Sequence, residues 1–193
     1  MRFKNNPSCN GFQDFIDKTL IQRVENRAIS VWGKIGEVLP PHLVMPLTVE
    51  PTKPRLCHDN RFLNLWITDK PLVLDNLSHL PRYLQKDSYQ TLLDDKSGYD
   101  HILLGEQSRT YFGIEWKGWF FVSNVIPFGW KLSAFIYHST GLVASHLFRS
   151  LGVPCSLWPS RATSLSVLHT VMCYPLEIKF IVLYCIIHRR QTP

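Results

Sequence analysis

Carboxylates nearly vanish from the second half of this 193-residue chain. After Glu115 the only acidic side chain is Glu177, while Lys117, Lys131, Arg149, Arg161, Lys179, Arg189 and Arg190 continue the basic series. Hard divalent cations take oxygen ligands, so that half makes a poor all-protein Mg2+ or Ca2+ site. Paired cysteines are missing as well. Cys9, Cys57, Cys155, Cys173 and Cys185 are odd in number and show no C-x-x-C spacing. This argues against a disulfide framework or a zinc site and for a reduced, intracellular chain, in cytoplasm or nucleus. The opening residues "MRFKNNPSCNGF" lack the apolar core of a signal peptide. Long hydrophobic runs are lacking too: "FIVLYCII" is too short to span a bilayer, and Pro175, Glu177 and Lys179 interrupt the residues before it. No membrane partner is therefore expected. Internal repeats and low-complexity tracts are absent.

What is present fits a globular protein. Apolar residues make up 45% and aromatics 12% of the chain, which excludes general disorder. The excess of 21 Lys and Arg over 15 Asp and Glu gives a net charge of +6. Such a charge suits an anionic partner, nucleic acid first, although a modest excess also describes an ordinary solvated surface.

Phe12, Phe15, Ile16, Leu20, Ile21 and Val24 recur at helical spacing, predicting an amphipathic helix over 11–25. The five prolines of "VLPPHLVMPLTVEPTKPRL" exclude helix and favour extended connecting segments. "PRLCHDNRFLNLWI" reads as a strand entering a polar loop, and "LDNLSHLPRYLQ" as a short helix that Asp75 can cap. "YQTLLDD", residues 89–95, reads as a strand. The two aromatic runs of "RTYFGIEWKGWFFVSNV" flank Lys117-Gly118, the pattern of a tight hairpin. Ser133 can cap a helix reaching about Arg149, with Gly152 and Pro154 ending it. The order implies an α+β fold. Beyond Leu157 the pattern fades, and 158–193 predict no element.

The stretch "LLDDKSGYDHI" concentrates the chemistry. Successive strand side chains point to opposite faces, so Asp94 and Asp95 cannot both face one metal. A lone carboxylate at a strand end is a weak ligand, and composition alone favours a solvated strand-to-turn junction. Its surroundings add a small-residue turn where backbone N–H groups can meet a phosphate. Upstream, Lys53 and Arg55 lie on an extended arm, and Gly129 in "PFGW" leaves room for close packing.

In order, "KPRLCHDNRFLNLWI", "LLDDKSGYDHI", "YFGIEWKGWFFV" and "VIPFGWKLSAFIYHSTGLVASH" resemble the fingers and palm of a retroelement reverse transcriptase. The resemblance covers about residues 43–157 and is greatest to the tyrosine-recombinase, DIRS-group elements. It implies a partial right-hand polymerase with an incomplete antiparallel palm sheet. Residues 1–42 would form an N-terminal helix and linker, and 158–193 a divergent tail, out of frame or disordered.

The resemblance also implies roles. Asp94 matches the catalytic, metal-binding aspartate, and Asp95 the position whose backbone carbonyl helps hold Mg2+. Ser97 and Gly98 match the turn that meets the triphosphate of a dNTP, and Tyr99 the residue that excludes a 2′-hydroxyl. Arg55 matches the triphosphate-binding arginine, with Lys53 as helper. Phe128, Gly129 and Lys131 match the loop lining the nucleotide pocket, and Asp59 and Arg61 positions near the template strand. Partners would be an RNA or DNA template-primer and dNTP. The implied reaction is attack of a primer 3′-hydroxyl on the α-phosphate, aided by two Mg2+ ions.

The family also needs a Tyr-x-Asp-Asp motif on a hairpin after the helix. Here "SLGVPCSL" leads into "WPSRATSLS", which holds no acid. Two cations beside one carboxylate would repel one another without compensation. Polymerase activity is therefore expected to be absent from the chain acting alone. A non-catalytic nucleic-acid-binding remnant and a non-functional decayed element are the alternatives. The thumb, RNase H and recombinase regions that the resemblance implies are not found in these residues.

Overall fold

The computed structural model describes residues 1–72, 89–94, 97–152, 155–159 and 168–174, with side chains for 1–72 and 97–152. Helix α1 spans Gln13–Glu25 after a 3-10 turn at Pro7–Gly11. Its apolar spacing puts Ile16 and Leu20 into the core and Phe12, Phe15 and Val24 at its edge. Strand β1, Ile29–Lys34, follows at once, although no strand is evident there from the sequence. It pairs antiparallel with β7, and its register breaks between Val31 and Gly33. That bulge spoils the period-two alternation by which a strand is read.

The proline-rich segment is extended, as expected: β2 is Val44–Met45, β3 Leu47–Glu50 and β4 Arg55–His58. β3 and β4 form an antiparallel pair. After β4 the sequence suggests a polar loop, but Arg61–Asn64 close one helical turn, α2. Strand β5, Tyr89–Asp94, lies where its pattern predicts. A 3-10 turn at Gly98–His101 and a helical turn α3 at Glu106–Arg109 lead to β6, Gly113–Trp116, and β7, Trp119–Ser123. At the hairpin tip both Lys117 (φ 45°) and Gly118 (φ 82°) are left-handed, the conformation a two-residue turn needs to match strand twist. Helix α4 runs Ser133–Ser150, and β8, Cys155–Pro159, and β9, Leu168–Tyr174, follow. Ser133 does not cap α4: its hydroxyl donates to Pro127 O at 2.7 Å and pins the incoming loop. Gly152 (φ 77°) ends the helix, its N–H donating to Arg149 O.

This mixed secondary structure with small sheets agrees with an α+β class. The sheets are β1-β7-β6-β2, β3-β4 and β5-β9-β8. β9 falls in the segment from which the sequence predicts no element, and it gives β5 its partner. The expected helix at 74–85, residue Asp95 and the terminating Pro154 lie outside the described residues.

The chain divides into two compact units, Met1–Pro71 with Ser97–Tyr137, and Leu72–Lys96 with His138–Pro193. Residues 1–42, read from the sequence as helix and linker, thus belong to the same unit as β3 and β4. The core of the first unit gathers Cys9, Ile16, Leu20, Ile29, Leu47, Val49 and Ile114 from α1, the adjoining 3-10 turn and the sheets. Among the described residues no helix is long and apolar enough to cross a membrane.

Candidate functional site

The end of β4 and the turn α2 hold the loop 127–131 through two asparagine amides. Asn60, 2% exposed, donates its Nδ2 to Phe128 O at 3.1 Å. Asn64 donates Nδ2 to Gly129 O at 2.8 Å and accepts the Lys131 N–H on Oδ1 at 2.9 Å. Gly129 (φ 82°) passes so close that an added Cβ would lie 3.2 Å from His58 O. The structure therefore brings the "HDNRFLN" segment and three expected nucleotide-site residues, Phe128, Gly129 and Lys131, into one hydrogen-bonded junction. The Lys131 ammonium is taken up by Asp69 at 2.6 Å.

Tyr99 lies beneath this loop. It is 4% exposed, with its ring 4.6 Å from Phe128 and 5.2 Å from Tyr137. Ser97 adopts a left-handed conformation (φ 55°), and its carbonyl accepts from Asp100 N at 2.8 Å to close the 3-10 turn. An added Cβ at Gly98 would lie 2.3 Å from the Tyr137 hydroxyl, so the Tyr137 ring would have to shift to admit it.

Lys53 is exposed in the turn joining β3 to β4, and Arg55 stands opposite Glu50 in their register. Asp59 and Arg61 grip one another: Arg61 Nε lies 2.8 Å from Asp59 Oδ1, and Nη2 lies 2.6 Å from Oδ2. These hydrogen bonds hold the Asp59 carboxyl below the usual carboxylate range, against a smaller opposing effect of desolvation. The Arg61 side chain remains 87% exposed.

Asp94 ends β5 in the second unit. The resemblance implies Mg2+ there, and the register tests whether the strands supply donors for it. Asp94 pairs with His169, which pairs in turn with Trp158, while Leu93 pairs with Thr170 and Leu168 with Pro159. No paired position carries a second carboxylate. Among the described residues no three His, Cys, Asp or Glu side chains gather to hold a metal. By themselves, the paired positions of β5, β9 and β8 do not supply the donors of a two-ion Mg2+ centre.

The clamping amides of Asn60 and Asn64 escape a reading by residue type, because isolated asparagines carry no spacing signal. Arg23 and Asp100, joined at 3.0 Å, escape it because they are distant in sequence. Burial pushes the Cys57 thiol up from its ordinary value, which disfavours the thiolate. His138 is buried and His146 exposed on α4. No protein-family model matches the chain, and no curated protein is significantly similar to it.

Proposed function

We propose that this chain is a fragment of a retroelement reverse transcriptase, most like the DIRS-group enzymes, that cannot extend a primer by itself. The order of the four motifs supports the family. Also in favour is the antiparallel β8-β9 pair that follows α4 and joins the strand ending in Asp94. The observation that carries the loss of activity is the register at Asp94, whose neighbours across the sheet are His169 and then Trp158 instead of carboxylates. Without them, the strands beside Asp94 offer no charge against the repulsion between two divalent ions. Purified chain should give no Mg2+-dependent primer extension above a blank. Extension with any dNTP on an RNA or DNA template would overturn the reading.

A second reading, nucleic-acid binding without chemistry, is favoured by the exposed guanidinium of Arg61 and the exposed Lys53. Phosphate neutralisation releases counterions, so affinity for a primer-template should fall steeply between 50 mM and 200 mM salt, by up to roughly 10³-fold for several contacts. Arg55→Ala and Arg61→Ala should each weaken binding. Affinity indifferent to salt would exclude this reading.

A further inference from the structure

Trp66 lies just past α2, the single turn Arg61–Asn64, and is 76% exposed. It is nevertheless held in place. Its backbone N–H donates to Leu63 O at 3.1 Å, and its ring lies 6.3 Å from that of Phe62. Residues four apart on a helical turn share a face, and Phe62 packs in its turn on Phe3 at 5.0 Å. Phe3, Phe62 and Trp66 therefore form a short aromatic ladder that starts half-buried and ends in solvent. Leu65 is exposed as well, and contiguous apolar surface of this kind marks interaction sites.

The charges around the ladder select the partner. Arg61 is paired with Asp59, and Lys131 with Asp69, so those four groups cancel. Lys4, next to Phe3, and Lys70, next to Asp69, are exposed and enter no ion pair among the described residues. The Lys131 ammonium lies 3.4 Å from Ile67 O and 2.6 Å from Asp69, which ties this charged segment to the residue after Trp66. The ladder thus sits in a net positive surround. A ring face beside lysines is how a protein takes an unpaired base and its phosphates. A duplex keeps its bases stacked on each other and shows only their edges. Anchoring to an anionic membrane uses a long amphipathic helix, and α2 is one turn.

We propose that the ladder ending in Trp66 is a stacking platform for an unpaired base of single-stranded nucleic acid, with Lys4 and Lys70 on the flanking phosphates. This rests on the reading of the chain as a nucleic-acid binder. It adds the strandedness of the partner and an uncharged residue that recognises it. Stacking tolerates any base, because every base has a π-face.

Fluorescence anisotropy of the full chain with labelled oligo(dT), and with an abasic strand of the same length, tests the platform. Oligo(dT) should bind more tightly than the abasic strand. Trp66→Ala should weaken oligo(dT) binding by roughly 5- to 150-fold and leave abasic binding unchanged, while Trp66→Phe keeps most of the affinity. Lys4→Gln combined with Lys70→Gln should weaken both ligands and flatten the salt dependence, which Trp66→Ala should not. The indole N–H resonance of Trp66 in the unaltered chain, identified by its loss in Trp66→Phe, gives a readout that needs no alanine variant. It should move with oligo(dT) and stay still with the abasic strand. Equal oligo(dT) affinity of the unaltered chain and Trp66→Ala, or an unmoved indole resonance, would overturn the platform and leave nucleic-acid binding standing. No binding of any strand at low salt would remove that reading and the proposal together. Binding to phosphatidylserine vesicles in place of oligo(dT) would assign the patch to a lipid surface and overturn the proposal as well.

Discussion

Gly113 is the position where a single atom matters most. A methyl group there would lie 2.6 Å from Leu43 O and 2.8 Å from Pro41 Cβ, and backbone cannot step aside as a side-chain tip can. Gly113→Ala should therefore push β2 off β6 and destabilise the chain by roughly 1–3 kcal/mol, the usual cost of overpacking. Urea unfolding measures it, and an unchanged midpoint would refute it. Asn60 acts by hydrogen bonding instead. Replacing it with leucine strips Phe128 O of its donor inside the junction, at a cost of about 1–3 kcal/mol. The same titration, with Asn64→Ala as a more exposed comparison, separates the buried clamp from its neighbour.

At the scale of elements, α1 shows two faces whose consequences differ. Ile16 and Leu20 are 0% and 3% exposed, whereas Ile21 is 59% exposed. Truncation of either buried residue to alanine should cost about 2–5 kcal/mol, and Ile21→Ala should stay within about 0.5 kcal/mol. Equal losses at all three positions would mean that the face is assigned wrongly. α1 and the β6-β7 hairpin were legible in advance because their signals are local: apolar spacing in one, Lys117-Gly118 in the other. β1 was hidden by its bulge, and α2 by its length of one turn. β9 was illegible because it is defined by pairing with β5 and β8, and no local pattern encodes a distant partner. Ser133 shows a different failure, since a capping residue type occurs at the right place and spends its hydroxyl on Pro127 O.

For the whole molecule, acidity is the simplest probe. His58 ionises near 3 when folded but near its ordinary 6.5 when unfolded, so below pH 6.5 the unfolded state binds a proton that the native state refuses. Stability should fall as pH drops from about 6.5 toward 3, by up to roughly 1.4 kcal/mol per pH unit from this group. Asp59, held low chiefly by its hydrogen bonds from Arg61, adds a loss at more acid pH, through and below the ordinary carboxylate range. His58→Gln should flatten the decline between pH 6 and pH 4. A decline unchanged by that substitution would assign it to other groups. The candidate site was legible only in part at this scale. The motif order placed Tyr99, Phe128, Gly129 and Lys131 in one region, and the structure joins Tyr99 to Phe128 by ring packing. The asparagine clamps and the Arg23–Asp100 pair depend on chain segments meeting in space, which no stretch of sequence announces.

The two units interleave along the chain, and the ribosome makes a chain in one direction only. All residues of the first unit exist once Tyr137 has been synthesised, whereas β5, made earlier, must wait for β9, at Leu168–Tyr174. Throughout that interval β5 lacks β9, its partner among the described residues, and a strand edge without its partner is open to pairing with a neighbouring chain. Slow translation between Tyr137 and Tyr174 would prolong this exposure, so codon choice in that stretch bears on the yield of soluble product.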